Sequence, residues 1–236
     1  MLGVGTINRV RREIYRKLVH LALCSVLALP YFAALPPPLT VQVYYALGLL
    51  SASLLNSVVV KHGKLLAELE KLRRNVDSFA GSLSEELRQP LVLMEQTIAR
   101  FYEFVSSQIS ILERDYEKRE GYVGLLYGMI GASVSLLLSP CLTLYGVLAL
   151  AFVDTSAALT DLLLGTGQKT ARGSAVAFLV YASVLVALGV DPLRAAVSSL
   201  LTCIAEYLSP EDNLTVPVVA TTLALLLGLP PRCPLS

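Results

Sequence analysis

Residues 151–174 read AFVDTSAALTDLLLGTGQKTARGS, an apolar segment that carries two carboxylates and then breaks into a glycine-rich basic turn. Ionisable residues inside a transmembrane segment are costly, so they usually mark an ion or substrate site. Asp154 and Asp161 are seven positions apart. A helix therefore places both on one face, roughly 10 Å apart along its axis. We expect both carboxylates to face inward.

The composition indicates a membrane protein. Of the 236 residues, 55% are hydrophobic and only 16% are charged, and the mean hydropathy is +0.64. An average soluble domain has about 25% charged residues. We therefore predict an integral membrane protein that has the bilayer as a partner and binds no nucleic acid. The first apolar run lacks a clear cleavage site and is interpreted as a retained span.

The cysteines give no sign of a paired site. Cys24, Cys141, Cys203 and Cys233 are spread along the chain without a paired spacing. Such spacing indicates neither a zinc site nor a disulfide framework. The sequence therefore predicts ordinary free thiols.

Apolar segments separated by turn residues predict an all-α, polytopic membrane protein with about seven transmembrane helices. The expected spans are residues 18–35, 41–60, 122–139, 142–164, 174–190, 193–208 and 214–229. Residues 1–60 would form a basic N-terminus with the first two helices, residues 61–120 a polar insertion, and residues 121–236 the remaining five helices.

Positive charge orients this arrangement. With a cytoplasmic N-terminus, seventeen of the nineteen lysines and arginines lie on the cytoplasmic side. Only Arg194 and Arg232 fall outside, as the positive-inside rule requires. An odd number of spans places the C-terminus on the opposite side. The polar clusters then share the cytoplasmic face.

The 61–120 insertion has the apolar period of an amphipathic helical hairpin. Apolar residues recur at steps of four and three, and Gly81 and Pro90 interrupt them near the middle. Two interpretations remain open. The hairpin is either a structural or dimerising coiled coil, which would let two copies of the chain pair as a homodimer, or a lid at the membrane surface over the site.

Basic residues at the start of the first span also have two interpretations. Arg16, Lys17 and His20 share one helix face. Basic residues at this position commonly anchor a helix at the membrane interface by snorkelling. The three together could instead hold a phosphate.

The turn after Asp161 has the features of a phosphate-binding site. Two glycines precede Lys169, and Gly173 and Ser174 open the next helix. Free backbone N–H groups at a helix N-terminus, together with a lysine, attract phosphate. The turn is not a soluble P-loop, because Gln168 precedes the lysine and a helix rather than a strand leads into it.

A last polar cluster lies between the sixth and seventh spans. Glu206, Asp212 and Asn213 offer three oxygen-bearing side chains that could hold hydrated Mg²⁺ together with a nucleotide phosphate. A turn of this composition also caps helices, so the structural interpretation stays open.

These motifs in this order resemble the polyprenol kinase family, which includes dolichol kinase, phytol kinase and the CTP-dependent diacylglycerol kinase. The matching pieces are an aspartate in a small-residue span, KTARGS at 169–174 and EYLSPEDNLTVP at 206–217. RKLVH at 16–20 looks like the family's N-terminal motif, and RDYE at 114–117 with Gly124, Tyr127 and Gly131 looks like its central one.

The resemblance implies transfer of the terminal phosphate of CTP to the hydroxyl of a long-chain polyprenol such as dolichol, with Mg²⁺. Related acceptors of the same family are phytol, geranylgeraniol and diacylglycerol. The expected catalytic residues are Asp154, Lys169, Glu206 and Asp212, and the expected metal ligands are Asp154, Glu206 and Asp212. The expected nucleotide-binding residues are Arg16, Lys17, His20, Lys169, Thr170, Arg172, Gly173, Ser174 and Asn213.

Two positions depart from the family pattern. Relatives commonly carry a glycine seven residues after the aspartate and an acidic residue before the Gly-Ser pair. Here those positions hold Asp161 and Arg172. The first adds a charge where close backbone approach is expected, and the second places a cation beside the phosphates.

A transporter is the competing class. In that hypothesis Asp154 and Asp161 line a cation or small-solute path. Matching, interrupted halves would favour it, and the sequence contains no such internal repeat. The aspartate-rich signature of the transferases that handle CDP-linked lipids is not seen either.

Overall fold

The computed structural model describes residues 4–60, 100, 123–166 and 168–235, and throughout them the regular structure is helical. The α-helices are α1 (Val4–Ala28), α2 (Val41–Val60), α3 (Val123–Leu138), α4 (Thr143–Leu163), α5 (Ala171–Ala187), α6 (Pro192–Leu208) and α7 (Asp212–Leu226). A short 3₁₀ helix, Leu29–Tyr31, follows α1. The prediction of an all-α chain is confirmed for this part of the protein.

Each of the seven helices overlaps one predicted apolar segment, and the largest difference is at the first. Helix α1 begins at Val4, whereas the predicted span begins at residue 18. The added turns contain several charged residues, so a search for apolar runs does not detect them. Arginine and glutamate are good helix formers, and they extend the helix beyond its apolar part.

The chain divides into two compact units. One unit comprises Met1–Ala52 and Gly124–Ser236 and contains all the site residues described below. The other comprises Ser53–Val123. The predicted 61–120 hairpin and the RDYE motif at 114–117 fall outside the described residues, apart from position 100.

Helix α4 lies at the centre of the first unit. It contacts α1, α5, α6 and α7, and thirteen of its 21 residues are buried. Gly146 lets α7 approach closely, because a Cβ atom there would collide with the hydroxyl of Thr221 and the carbonyl oxygen of Pro217. The central position of α4 brings Asp154 into contact with other helices.

The helices differ in how readily they could cross a bilayer. In the described part of the chain, α4 is the one helix long and apolar enough by length and composition. Three further apolar helices are shorter, at residues 124–138, 171–187 and 212–226. A buried core helix of a soluble protein passes the same test as α4. Helix length alone therefore leaves the number of spans open.

The prediction of free thiols is wrong for two of the four cysteines. Cys141 and Cys233 form a disulfide across 92 residues of sequence, while Cys24 and Cys203 are free and buried. The Arg232 N–H also donates to the Cys141 carbonyl at 2.7 Å. The pairing depends on the C-terminal tail returning to the start of α4, which cysteine spacing does not reveal.

Candidate functional site

A buried ion pair joins α1 to the middle of α4. The Lys17 ammonium donates to both carboxylate oxygens of Asp154, each at 2.7 Å. Lys17 is 4% exposed and Asp154 is 6% exposed. Lys17 is therefore not a snorkelling interface anchor, because its charge is held inside the protein by a carboxylate 137 positions away.

His20 completes this pair from one turn further along α1. Its Nε2 lies 3.3 Å from Asp154 Oδ2 and 3.0 Å from the Leu150 carbonyl oxygen. The thiol of Cys24, one more turn along, is 3.7 Å from the same nitrogen. The RKLVH motif therefore supplies two side chains that surround the Asp154 carboxylate.

Arg16 does not join them. Its guanidinium pairs with Glu13 at 2.8 Å on the same helix, at a partly exposed position. The three basic residues grouped by sequence thus separate by partner: Lys17 and His20 face Asp154, whereas Arg16 pairs within α1.

A second charged group forms where α6 ends and α7 begins. Lys169 Nζ lies 3.0 Å from Glu206 Oε1 and 3.4 Å from Asp212 Oδ2. It also donates to the backbone carbonyl oxygens of Glu206 and, at 3.2 Å, Ser209. We call these oxygens of Glu206, Ser209 and Asp212 the acidic cage. The carbonyl groups at the end of α6 have no intrahelical partners, which makes them available to a cation.

The electrostatics of the acidic cage favour a charged lysine. Burial would lower the pKa of Lys169, but the Asp212 and Glu206 carboxylates outweigh it and raise the pKa above its ordinary value. Asp212 lies in the first turn of α7, where the helix dipole stabilises a carboxylate. Its Oδ1 also accepts the Asn213 N–H at 3.0 Å.

Asp161 fixes the start of α5. Its carboxylate accepts from the Thr170 hydroxyl and, at 3.2 Å, from the Thr170 N–H. The Thr170 hydroxyl oxygen in turn accepts the Gly173 N–H at 3.1 Å and caps α5. A Cβ atom at Gly173 would lie 2.6 Å from Asp161 Oδ1. At position 161, where the resemblance leads us to expect a glycine, a carboxylate thus lies against Gly173.

The remaining predicted residues lie at the start of α5 or at the start of α7. Arg172 is exposed and Ser174 is half-buried on the first turn of α5, where the Ser174 N–H donates to the Thr170 carbonyl. The Asn213 side-chain oxygen is buried and has no hydrogen-bond partner among the described residues. Gly131, from the predicted central motif, abuts the start of α7, because its Cβ would lie 2.8 Å from the Leu214 carbonyl oxygen.

The two charged groups are neighbours. Asp154 and Glu206 are close enough for their negative charges to repel each other. Helix α4 contacts both α1, which carries Lys17, and α6, which carries Glu206. Motifs that begin at position 17 and end at position 212 of the sequence therefore meet in one region of the molecule.

The expected three-carboxylate metal site is not formed as a single group. Within the described ranges, no three His, Cys, Asp or Glu side chains are placed to hold one ion together. Asp154 is paired with Lys17, and Glu206 and Asp212 share Lys169. The donor atoms of the acidic cage still fit Mg²⁺, which prefers carboxylate and other oxygen ligands. Glu206 Oε2 is moreover buried with no partner among the described residues.

Sequence reasoning missed the Ser209 carbonyl and the lysine–carboxylate pairings. A backbone oxygen leaves no mark in the residue pattern. The spacing of Lys17, His20 and Cys24 on one face of α1 was the available sign that this face is buried.

Comparison with known proteins gives no relative. No protein-family model, curated protein or solved structure matches the chain.

Proposed function

We propose that this protein is an integral membrane lipid kinase that transfers the terminal phosphate of CTP to the hydroxyl of a long-chain polyprenol such as dolichol. The observation that carries the proposal is the convergence of the charged motifs. Lys17 and His20, then Asp154, then Lys169, Glu206 and Asp212 come from distant parts of the sequence and lie in one region.

The surface of α6 supports a membrane setting. Its buried face is polar and holds Ser198, Ser199 and Thr202, all fully buried. Beyond Arg194 in its first turn, its exposed face is apolar and includes Val197, Leu200, Leu201, Ile204 and Leu208. A surface helix of a soluble protein has the opposite arrangement. Lipid is the solvent that fits an apolar outer face and a polar inner one.

The two ends of α4 support the predicted orientation. A helix of 21 residues is about 31 Å long, close to the thickness of the hydrocarbon core of a bilayer. The Cys141–Cys233 disulfide lies before its start, and Lys169 follows its end. Disulfides persist in oxidising compartments. Lys169 and the acidic cage would then face the cytoplasm, where CTP is found.

The acceptor hydroxyl would be held at Asp154. In the transfer, the alcohol oxygen forms a bond to the terminal phosphorus as the bond from that phosphorus to the bridging oxygen of CTP breaks, and CDP leaves. The hydroxyl proton passes to the Asp154 carboxylate, and Lys17 and His20 keep that carboxylate oriented. The polyprenol tail would stay in the bilayer throughout.

The nucleotide would be held at the turn before α5. Phosphoryl transfer depends on alignment and on neutralising phosphate charge. Lys169, Arg172 and the positive pole of the α5 helix dipole would supply positive charge for the triphosphate. The Gly173 and Ser174 N–H groups, by contrast, already donate to Thr170. Mg²⁺, when bound, would neutralise charge on the phosphates, and Glu206 and Asp212 would hold it.

The transporter hypothesis has less support. It requires Asp154 and Asp161 to line one cation path, yet Lys17 neutralises the first and Thr170 donates to the second. Phytol, geranylgeraniol and diacylglycerol remain alternative acceptors within the kinase proposal, because their tails would meet the same apolar helix faces.

The test is a phosphate-transfer assay with purified protein, radiolabelled CTP, Mg²⁺ and a panel of lipid alcohols. We expect label on a polyprenol, and we expect Asp154→Asn to abolish transfer in protein that remains folded. Lys169→Met should raise the CTP concentration needed for half-maximal rate. Labelling of none of the alcohols, or near-normal turnover by Asp154→Asn, would contradict the proposal.

A further inference from the structure

The acidic cage contains more acceptors than its lysine can serve. An ammonium group has three N–H donors. Four oxygens of the cage are bonded to or paired with Lys169 Nζ: Glu206 Oε1, the Glu206 and Ser209 carbonyl oxygens, and Asp212 Oδ2. Glu206 Oε2 is a fifth acceptor, buried and without a partner among the described residues. A buried acceptor left unpaired is costly.

The charges of the cage are also unbalanced. Two carboxylates face one ammonium, so the group keeps one net negative charge, and Glu206 is 2% exposed. The end of α6 adds the negative pole of its helix dipole. A buried site with excess negative charge and surplus oxygen donors favours a cation of higher charge than an ammonium.

Lys169 is the solvent-exposed member of the cage. Its side chain is 35% exposed, whereas the Glu206 side chain is 3% exposed. It extends from the turn between α4 and α5, which includes Gly165 in the left-handed backbone conformation, with a φ of 70°. The carboxylates therefore lie on helices α6 and α7, whereas the lysine lies in a turn and borders solvent.

We propose that the acidic cage is a divalent cation site and that Lys169 is its exchangeable occupant. Without metal, the ammonium stabilises Glu206 and Asp212. When a divalent cation enters, it takes over these oxygens and releases Lys169, whose charge is then available to phosphate oxygens. Metal and nucleotide phosphate therefore bind cooperatively, because the metal frees the lysine that the phosphate uses. The last step rests on the proposed kinase function, but the exchange does not.

The test measures metal binding without nucleotide. Purified wild-type protein, Lys169→Met and Lys169→Gln are titrated with Mn²⁺, and bound ion is followed by electron paramagnetic resonance. Removing the competing ammonium should tighten Mn²⁺ binding by about tenfold or more, since one positive charge no longer opposes the ion at close range. Adding Glu206→Gln to Lys169→Met should abolish the gain. Arg194→Met, a matched loss of one positive charge from an exposed position, should bind Mn²⁺ as the wild type does.

Thermal unfolding gives a second readout that remains informative if the variants are unstable. Lys169→Met leaves two carboxylates uncompensated, so its melting temperature should fall without metal and recover with Mn²⁺ or Mg²⁺. The wild type should respond much less. Equal Mn²⁺ affinity in wild type and both Lys169 variants, or no recovery by metal, would overturn the proposal. Tighter Mn²⁺ binding by the Lys169 variants, in protein that phosphorylates no alcohol, would support the exchange and reject the kinase function. Phosphate transfer without tighter Mn²⁺ binding would support the kinase function and reject the exchange.

Discussion

Substitution of either member of the Lys17–Asp154 pair should lower the stability of the protein. Asp154→Asn leaves the Lys17 ammonium, which is 4% exposed, without the carboxylate that neutralises it. Lys17→Met leaves the Asp154 carboxylate with His20 Nε2 at 3.3 Å as a remaining donor. The first change should therefore be the more damaging of the two.

The expected magnitude follows from burial. An exposed ion pair contributes about 0–1 kcal/mol. Breaking a buried one by removing a single partner costs about 3–5 kcal/mol, because the other charge stays uncompensated. We expect about 3 kcal/mol for Asp154→Asn, since its amide oxygen still accepts from Lys17, and less for Lys17→Met. Removing both charges in Lys17→Met/Asp154→Asn should return stability to within roughly 1 kcal/mol of the wild type.

The assay is a double-mutant cycle on the free energy of unfolding, followed by far-ultraviolet circular dichroism in mixed detergent micelles. The control pair is Glu13→Gln with Arg16→Met, a partly exposed ion pair on the same helix, whose loss should cost under about 1 kcal/mol. Additive losses in the double variant would refute the reasoning. The double variant also isolates chemistry from folding, because it should be stable yet inactive if Asp154 accepts the proton.

Three further predictions follow from close contacts. Gly173→Ala should lower phosphate transfer while the helical content is unchanged. The new Cβ would displace the Asp161 carboxylate that positions Thr170. Full activity of this variant would contradict the prediction. Gly146→Ala should destabilise the protein by about 1–3 kcal/mol, measured by chemical unfolding, because α4 and α7 are in contact there. A maleimide reagent should fail to label Cys141 in sealed vesicles until a reductant opens its disulfide, and ready labelling without reductant would argue against the pairing.

Most of the fold could be predicted from the sequence, because the positions of the helices depend on local residue patterns. Apolar runs interrupted by proline, glycine and charged turns located all seven described helices. The start of α1 was missed because its first turns are charged, and charge alone does not end a helix. The Cys141–Cys233 pairing was missed because it depends on packing, which brings together two chain segments that are 92 positions apart.

The sequence marks candidate site residues but does not reveal their pairings. Asp154 is a candidate because a charged side chain within an apolar segment needs an explanation. Lys169 is a candidate because it precedes a helix N-terminus, and Glu206 and Asp212 are candidates because their oxygens could hold a metal ion. Which cation meets which carboxylate depends on helix packing. Lys17 illustrates the difficulty, since from sequence alone snorkelling is the ordinary explanation for a lysine near a helix end. Its partner lies on a helix 137 positions later.

The pairings bear on how an anionic substrate could bind. Two lysines, the buried Lys17 and the partly exposed Lys169, face three carboxylates, Asp154, Glu206 and Asp212. Leaving His20 aside, these side chains carry more negative than positive charge. A triphosphate entering it alone would be repelled. A divalent cation that neutralises Glu206 and Asp212 reverses this balance and leaves Lys169 free for the phosphates. Lys17 stays paired with Asp154 throughout. Lys169 would therefore act on the nucleotide, and Lys17 would act on the acceptor hydroxyl through Asp154.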